Sequence, residues 1–244
     1  MTDPDSPAPP KPEGLLVHLQ GHVLLFEQKP VPQFDASAGL RLLVFAIILE
    51  AVRLGVVRWG RVPLLIFVPL LLACALLAIR FGAGLRLPQI GFKTWRQWNA
   101  IEKSYFVQLL IIANVVFSLL FAARLRRIFA QPNSLEVVAT VFVPYLFFGF
   151  YQEVVYRGML QSELVRRCGA FVGILAANIL YTFGPMHSYY FASRSSLALP
   201  MFAGIFAIGL FFGILFRRSG NLWIVAVIHG IGNAYIVGSV GSVR

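Results

Sequence analysis

The sequence predicts an all-α membrane protein, a polytopic helical bundle with about seven transmembrane helices, and three observations carry that prediction. Of its 244 residues 58% are apolar and only 13% are charged, about half the ~25% of an ordinary soluble domain. The mean hydropathy is +0.76. From about residue 40 onward, apolar stretches near the ~20 residues that cross a bilayer follow one another, separated by short basic or Gly/Pro clusters. These features exclude a largely disordered chain, a secreted disulfide scaffold and a soluble enzyme with one compact core. Continuous hydrophobicity favours one bundle over separate domains.

Residues 1–13 (MTDPDSPAPPKPE) are polar and Pro-rich and are expected to be a disordered tail, with no apolar signal-peptide core behind them. Residues 14–36 form an amphipathic interfacial segment. His18 and His22 in it are four apart and share a helix face, which reads as interfacial packing rather than a metal site. Spans follow near residues 40–57, 62–81, 104–123, 135–160, 170–186, 197–216 and 222–240. Those before residue 130 make an N-terminal transmembrane unit, 37–130, and the rest a core, 135–241. Glu50 and Arg53 interrupt the first span. Being three apart, they can pair on one face, which makes their burial tolerable.

The net charge is +11, but no basic face interleaved with aromatics is present, so nucleic acid is not an expected partner. The basic residues lie between spans, where they set topology and meet lipid headgroups. Twelve Lys/Arg (11, 29, 41, 80, 86, 93, 96, 103, 166, 167, 217 and 218) fall on the N-terminal side, and seven (58, 61, 124, 126, 127, 194 and 244) on the other. This tally predicts a cytoplasmic N-terminus in a multi-pass membrane protein; the membrane expected is the bacterial inner membrane. Cys74 and Cys168 support neither a disulfide nor a CxxC motif.

An ionisable group in hydrocarbon costs at least ~2.5–3.5 kcal/mol, so each one is a functional candidate by default. Beyond Glu50 and Arg53, the candidates are Gln152, Glu153 and Arg157 in the fourth span, His187 ending the fifth, and His229 with Asn233 in the seventh. Glu153–Arg157 and His229–Asn233 are both i, i+4 pairs. Gly169 is the expected turn between spans four and five. Glu153 lies sixteen residues before it and His187 eighteen after it, so an antiparallel hairpin brings the two nearly level. His229 lies ten residues beyond the Ser219–Gly220 turn at the same end, so three helices can converge on one polar site.

Gln152-Glu153-Val154-Val155-Tyr156-Arg157-Gly158 resembles the EExxxRG motif of the CAAX-protease and bacteriocin-processing (CPBP) family of glutamic-type intramembrane proteases, which includes the type II CAAX prenyl endopeptidases. Phe183 to His187 (FGPMH) resembles the family's FxxxH motif, and His229 to Asn233 (HGIGN) its HxxxN motif. The resemblance covers about residues 135–240. It implies an endopeptidase that hydrolyses a peptide bond near the C-terminal end of a membrane-anchored protein, with no cofactor. Myxosortase-like members, which process C-terminal sorting tails, are one subtype that a chain of this size fits. Residue by residue, the resemblance makes Glu153 the general base, a role that a low-dielectric pocket favours. His187 shares the water, His229 and Asn233 donate to the oxyanion, and Arg157 orients the glutamate.

One glutamate and two histidines are also a zinc set, although the resemblance implies metal-free chemistry. A second departure concerns the motif itself. Its first glutamate, usually the principal water-activating residue, is here Gln152, and an amide cannot accept the water's proton at neutral pH. Three readings stay open: Glu153 serves as base, the chain is a catalytically inactive binding or scaffold protein of the same fold, or Gln152 is an engineered isostere.

Overall fold

A computed structural model describes residues 34–59, 62–187, 196 and 198–238; the expected tail, most of the interfacial segment, and His18 and His22 lie outside the described residues. Helix α1 (Ala36–Trp59) begins where the Asp35 carboxylate accepts the Ala38 N–H at 2.7 Å, an N-cap that satisfies one of the donors a helix start leaves unpaired. That bond, with the Ser37 hydroxyl, holds the Asp35 carboxyl below its usual range. Helix α2 (Leu64–Leu77) runs into a π turn, Ala78–Gly82. Helix α3 (Ala100–Leu120) is opened by a reciprocal cap in which Asn99 Oδ1 accepts from Glu102 N at 2.7 Å and Glu102 Oε2 accepts from Asn99 N at 2.8 Å. The basic helix α4 (Ala122–Phe129) follows directly.

One long rod comes next. It contains α5 (Ser134–Val137), a π segment (Val138–Phe142), α6 (Val143–Glu153), a second π segment (Val154–Gln161) and α7 (Ser162–Phe183). The rod is broken at Gly169, whose φ of +79° suits a residue without Cβ. Beyond it the chain turns back so closely that a Cβ on Gly173 would lie 2.4 Å from the Val165 nitrogen. Gly169 is therefore the turn that the sequence predicts. Helices α8 (Ala198–Ser219) and α9 (Leu222–Asn233) finish the bundle, the latter ending in a π turn, Ala234–Gly238.

Among the described residues there is no strand, and four helices are long and apolar enough to cross a membrane: Leu64–Gly82, Ala100–Leu120, Ser134–Phe183 and Ala198–Ser219. The third is the rod folded at Gly169. Helix α1 carries Arg41, Glu50 and Arg53, and α9 is shorter. The architecture is the predicted all-α bundle. Its outer faces are apolar, with Ile66, Leu70, Ile111, Leu119, Leu120 and Leu180 exposed. Lipid tails are as apolar as these side chains, so in a bilayer such faces need no protein partner.

The α6–α9 crossing positions the polar residues. A Cβ on Gly149 would sit 2.4 Å from Gly230 Cα, and one on Gly230 would sit 2.6 Å from the Leu146 carbonyl oxygen, so the two backbones touch. Small residues permit this approach between membrane helices. Gly230→Val is expected to force the helices apart and cost about 1–3 kcal/mol by overpacking. The thermal unfolding midpoint in detergent reads that loss, and an unchanged midpoint would show that the crossing has slack.

The end of the bundle carrying the Gly169 and Gly220 turns is tied together by polar contacts. Lys93 Nζ donates to Glu102 Oε1 at 2.9 Å and to the Ser219 carbonyl at 3.0 Å, and Leu222 N donates to the Gly91 carbonyl at 2.9 Å. Glu163, fully buried, accepts from both Arg166 and Arg167 beside α1 at Gly39.

Candidate active site

Immediately past the Gly149–Gly230 contact, the side chains of α6 meet those of α9. Glu153 Oε1 lies 2.5 Å from His229 Nδ1 and 3.2 Å from Arg157 Nη1, and the next residue back, Gln152, accepts from Asn233 Nδ2 at 2.6 Å through Oε1. A carboxylate only accepts, so the short contact places a proton on His229 Nδ1, and in a neutral imidazole Nε2 is then the acceptor for the Tyr181 hydroxyl at 3.2 Å. The arrangement is buried. Glu153 is fully buried, with Gln152 and Arg157 each 2% exposed. The second carboxylate oxygen, Glu153 Oε2, has no hydrogen-bond partner among the described residues.

Arg157 is held on three sides: by Glu153, by the Gly209 carbonyl of α8, to which Nη2 donates at 2.9 Å, and by the Tyr181 ring, whose centroid is 4.3 Å from the guanidinium carbon. Arg157 lies within the π segment Val154–Gln161, and its carbonyl accepts from both the backbone N–H and the hydroxyl of Ser162, the hydroxyl at 3.1 Å. Such π insertions recur at functional sites. Gly209 is required here, since a Cβ would meet Asn178 Oδ1 at 2.2 Å.

His187, in the turn after α7, stands beside these groups. Its Nδ1 lies 2.8 Å from the Tyr181 carbonyl oxygen, and its ring packs edge-on against the Tyr181 ring with centroids 4.7 Å apart. All six residues singled out in the sequence therefore occur in one neighbourhood. Glu153, Arg157 and His229 are in direct contact, as are Gln152 and Asn233, and His187 contacts Tyr181. Among the described residues no three His, Cys, Asp or Glu side chains gather as a metal-ligand set.

Tyr181 was missed by a filter built on ionisable groups, yet it links Arg157, His187 and His229. A signal did exist: Asn178, Tyr181 and Thr182 form a polar stripe at i, i+3, i+4 on an otherwise apolar helix. Glu50 and Arg53 do pair, Nη2 to Oε2 at 2.9 Å, but the carboxylate also accepts the Tyr151 hydroxyl at 2.9 Å and the Tyr156 hydroxyl at 3.2 Å. These tyrosines flank Gln152 and Glu153, so α1 braces the motif helix.

Residues 133–235 match the family described as type II CAAX prenyl endopeptidase Rce1-like. They form a CAAX-protease-family domain. No curated protein and no solved structure gives a match to the chain. The CAAX-protease domain contains all six candidate residues, and with its apolar helices it makes the chain an integral membrane protein. Membership implies peptide-bond hydrolysis as the general activity of the domain.

Proposed function

We propose that this protein is a glutamic-type intramembrane endopeptidase that cuts a membrane-anchored protein near its C-terminal end. The observation that supports the reading most is the Glu153 carboxylate, fixed through Oε1 by His229 and Arg157 and unengaged at Oε2. In this mechanism Oε2 takes a proton from a water as the water oxygen bonds to the scissile carbonyl carbon. The negative charge passes to the carbonyl oxygen. When the C–N bond breaks, the proton goes from Glu153 to the leaving nitrogen. His229, hydrogen-bonded through Nδ1, keeps the carboxylate aimed as its charge changes. Asn233 uses one amide hydrogen on Gln152, and its second is available to the oxyanion, where a single donor is worth ~2.7–4 kcal/mol. Gln152 then acts as an acceptor for Asn233, which an amide oxygen does as well as a carboxylate. We read the chemistry as metal-independent, because the Arg157 guanidinium already supplies a positive charge beside the Glu153 carboxylate.

The bonding of Gln152 to Asn233 also favours a second reading, a binding or scaffold protein that keeps the fold without the motif's first carboxylate. The test is an assay on a membrane-anchored substrate with the unmodified chain, Gln152→Glu, His187→Ala and His229→Ala, with and without a strong chelator. Cleavage by the unmodified chain, lost in both histidine variants and indifferent to the chelator, is the expected result. Inert unmodified and Gln152→Glu proteins would favour the binding reading, and activity confined to Gln152→Glu would mark a silenced enzyme.

Tyr181→Phe provides a finer check. It removes the hydroxyl from His229 Nε2 and keeps the ring against Arg157 and His187, so kcat is expected to fall roughly tenfold, about one hydrogen bond to a charge-bearing site. An unaltered kcat would show that the hydroxyl does not hold His229.

A further inference from the structure

At the basic end of the bundle, a cavity of about 210 Å³ opens between the start of the returning half of α7 and the end of α8, lined by Ala170, Phe171, Ile174, Ile214, Arg217 and Arg218. Four of these residues are apolar. Arg217 is the exception that matters, because its Nε and Nη1 are buried and have no hydrogen-bond partner among the described residues. Guanidinium N–H groups that lose water without gaining an acceptor are costly.

No carboxylate among the described residues is left for it. Among the described residues, Glu50 is taken by Arg53, Glu102 by Lys93, Glu153 by Arg157 and His229, and Glu163 by Arg166 and Arg167, while Asp35 caps α1. Glu136 lies at the start of the rod, more than one membrane-spanning length of helix from Gly169. The missing anion therefore has to come from outside the described chain.

Position identifies its class. Arg217 and Arg218 are the last basic residues of a membrane-length helix, at the end where Arg166 and Arg167 also lie, so they stand level with the headgroups. Phe171, 80% exposed, forms an apolar lip beside them. A ligand that suits both features has an anion on an apolar stem. We propose that this cavity binds the phosphodiester of an anionic lipid, the guanidinium taking two phosphate oxygens while the glycerol and the first acyl carbons lie along Phe171, Ile174 and Ile214. The site is separate from the candidate active site and does not depend on the proteolytic reading.

Native mass spectrometry of the delipidated full chain in detergent tests this assignment, with phosphatidylglycerol, phosphatidylcholine or inorganic phosphate added. One phosphatidylglycerol is expected to bind about tenfold more tightly than phosphatidylcholine. Arg217→Gln should abolish that preference, and Arg126→Gln, an exposed arginine on the opposite side, should keep it. Ala170→Trp fills the cavity from an exposed position with Arg217 intact and should also abolish it, which covers the case of an Arg217→Gln protein that does not fold. Equal retention of both lipids, unchanged preference in either cavity variant, or displacement of the lipid by inorganic phosphate would overturn the assignment.

Discussion

Glu153→Gln is expected to lower cleavage of a membrane-anchored substrate by about 10²–10⁴-fold, the range supplied by a positioned general base. The substitution isolates the chemistry. The amide oxygen still accepts from His229 Nδ1 in place of Oε1, so the α6–α9 contact survives, while the atom that would take the water's proton is lost. Arg157 loses its anionic partner but keeps the Gly209 carbonyl and the Tyr181 ring, which limits the structural damage. Glu153→Asp is the companion variant. It retains a carboxylate and withdraws it from the histidine, so activity between that of the unmodified chain and Glu153→Gln is expected. A single-turnover assay in proteoliposomes, on protein shown to be monodisperse, measures all three. Cleavage by Glu153→Gln at the unmodified rate would remove Glu153 from the role of base, whatever the fold.

Much of this geometry follows from spacing. Glu153–Arg157 and His229–Asn233 are one helical turn apart, and a Gly at the midpoint of a hairpin between two polar residues is enough to expect them level. Gly169 fulfils that expectation with its positive φ. Other features carry no such signature. The partners of Glu50 lie about a hundred residues away at Tyr151 and Tyr156, and no local pattern announces a hydrogen bond of that range. Spacing also cannot say which of two adjacent residues faces which partner. Gln152 and Glu153 differ by about 100° on a regular helix, yet both reach α9, because the backbones touch at Gly149 and Gly230 and both long side chains therefore meet polar residues on the neighbouring helix. The π segment after Glu153 is likewise unmarked by any residue type. It depends on how the rod packs, and it carries Arg157 between Glu153, Gly209 and Tyr181.

The bracing of that rod by α1 leads to the largest expected effect on stability. Glu50→Ala removes the acceptor of three buried donors at once, leaving the Arg53 guanidinium and the Tyr151 and Tyr156 hydroxyls without it. Arg53 is only 5% exposed and cannot regain water without moving α1. Breaking a buried ion pair from one side costs about 3–5 kcal/mol, because an uncompensated charge stays behind. Removing both charges, as Glu50→Ala with Arg53→Met, should recover most of that loss, since a well-packed apolar pair is often as stable as the ions it replaces. Unfolding in detergent of the two single variants and the double variant closes a mutant cycle whose coupling term is the quantity of interest. The Tyr156 ring packs edge-on against Tyr181 with centroids 5.3 Å apart, so the loosened helix would disturb the His229 partner as well. A Glu50→Ala protein within about 0.5 kcal/mol of the unmodified one, at the edge of what surface substitutions do, would mean that α1 packs against the motif helix without bracing it.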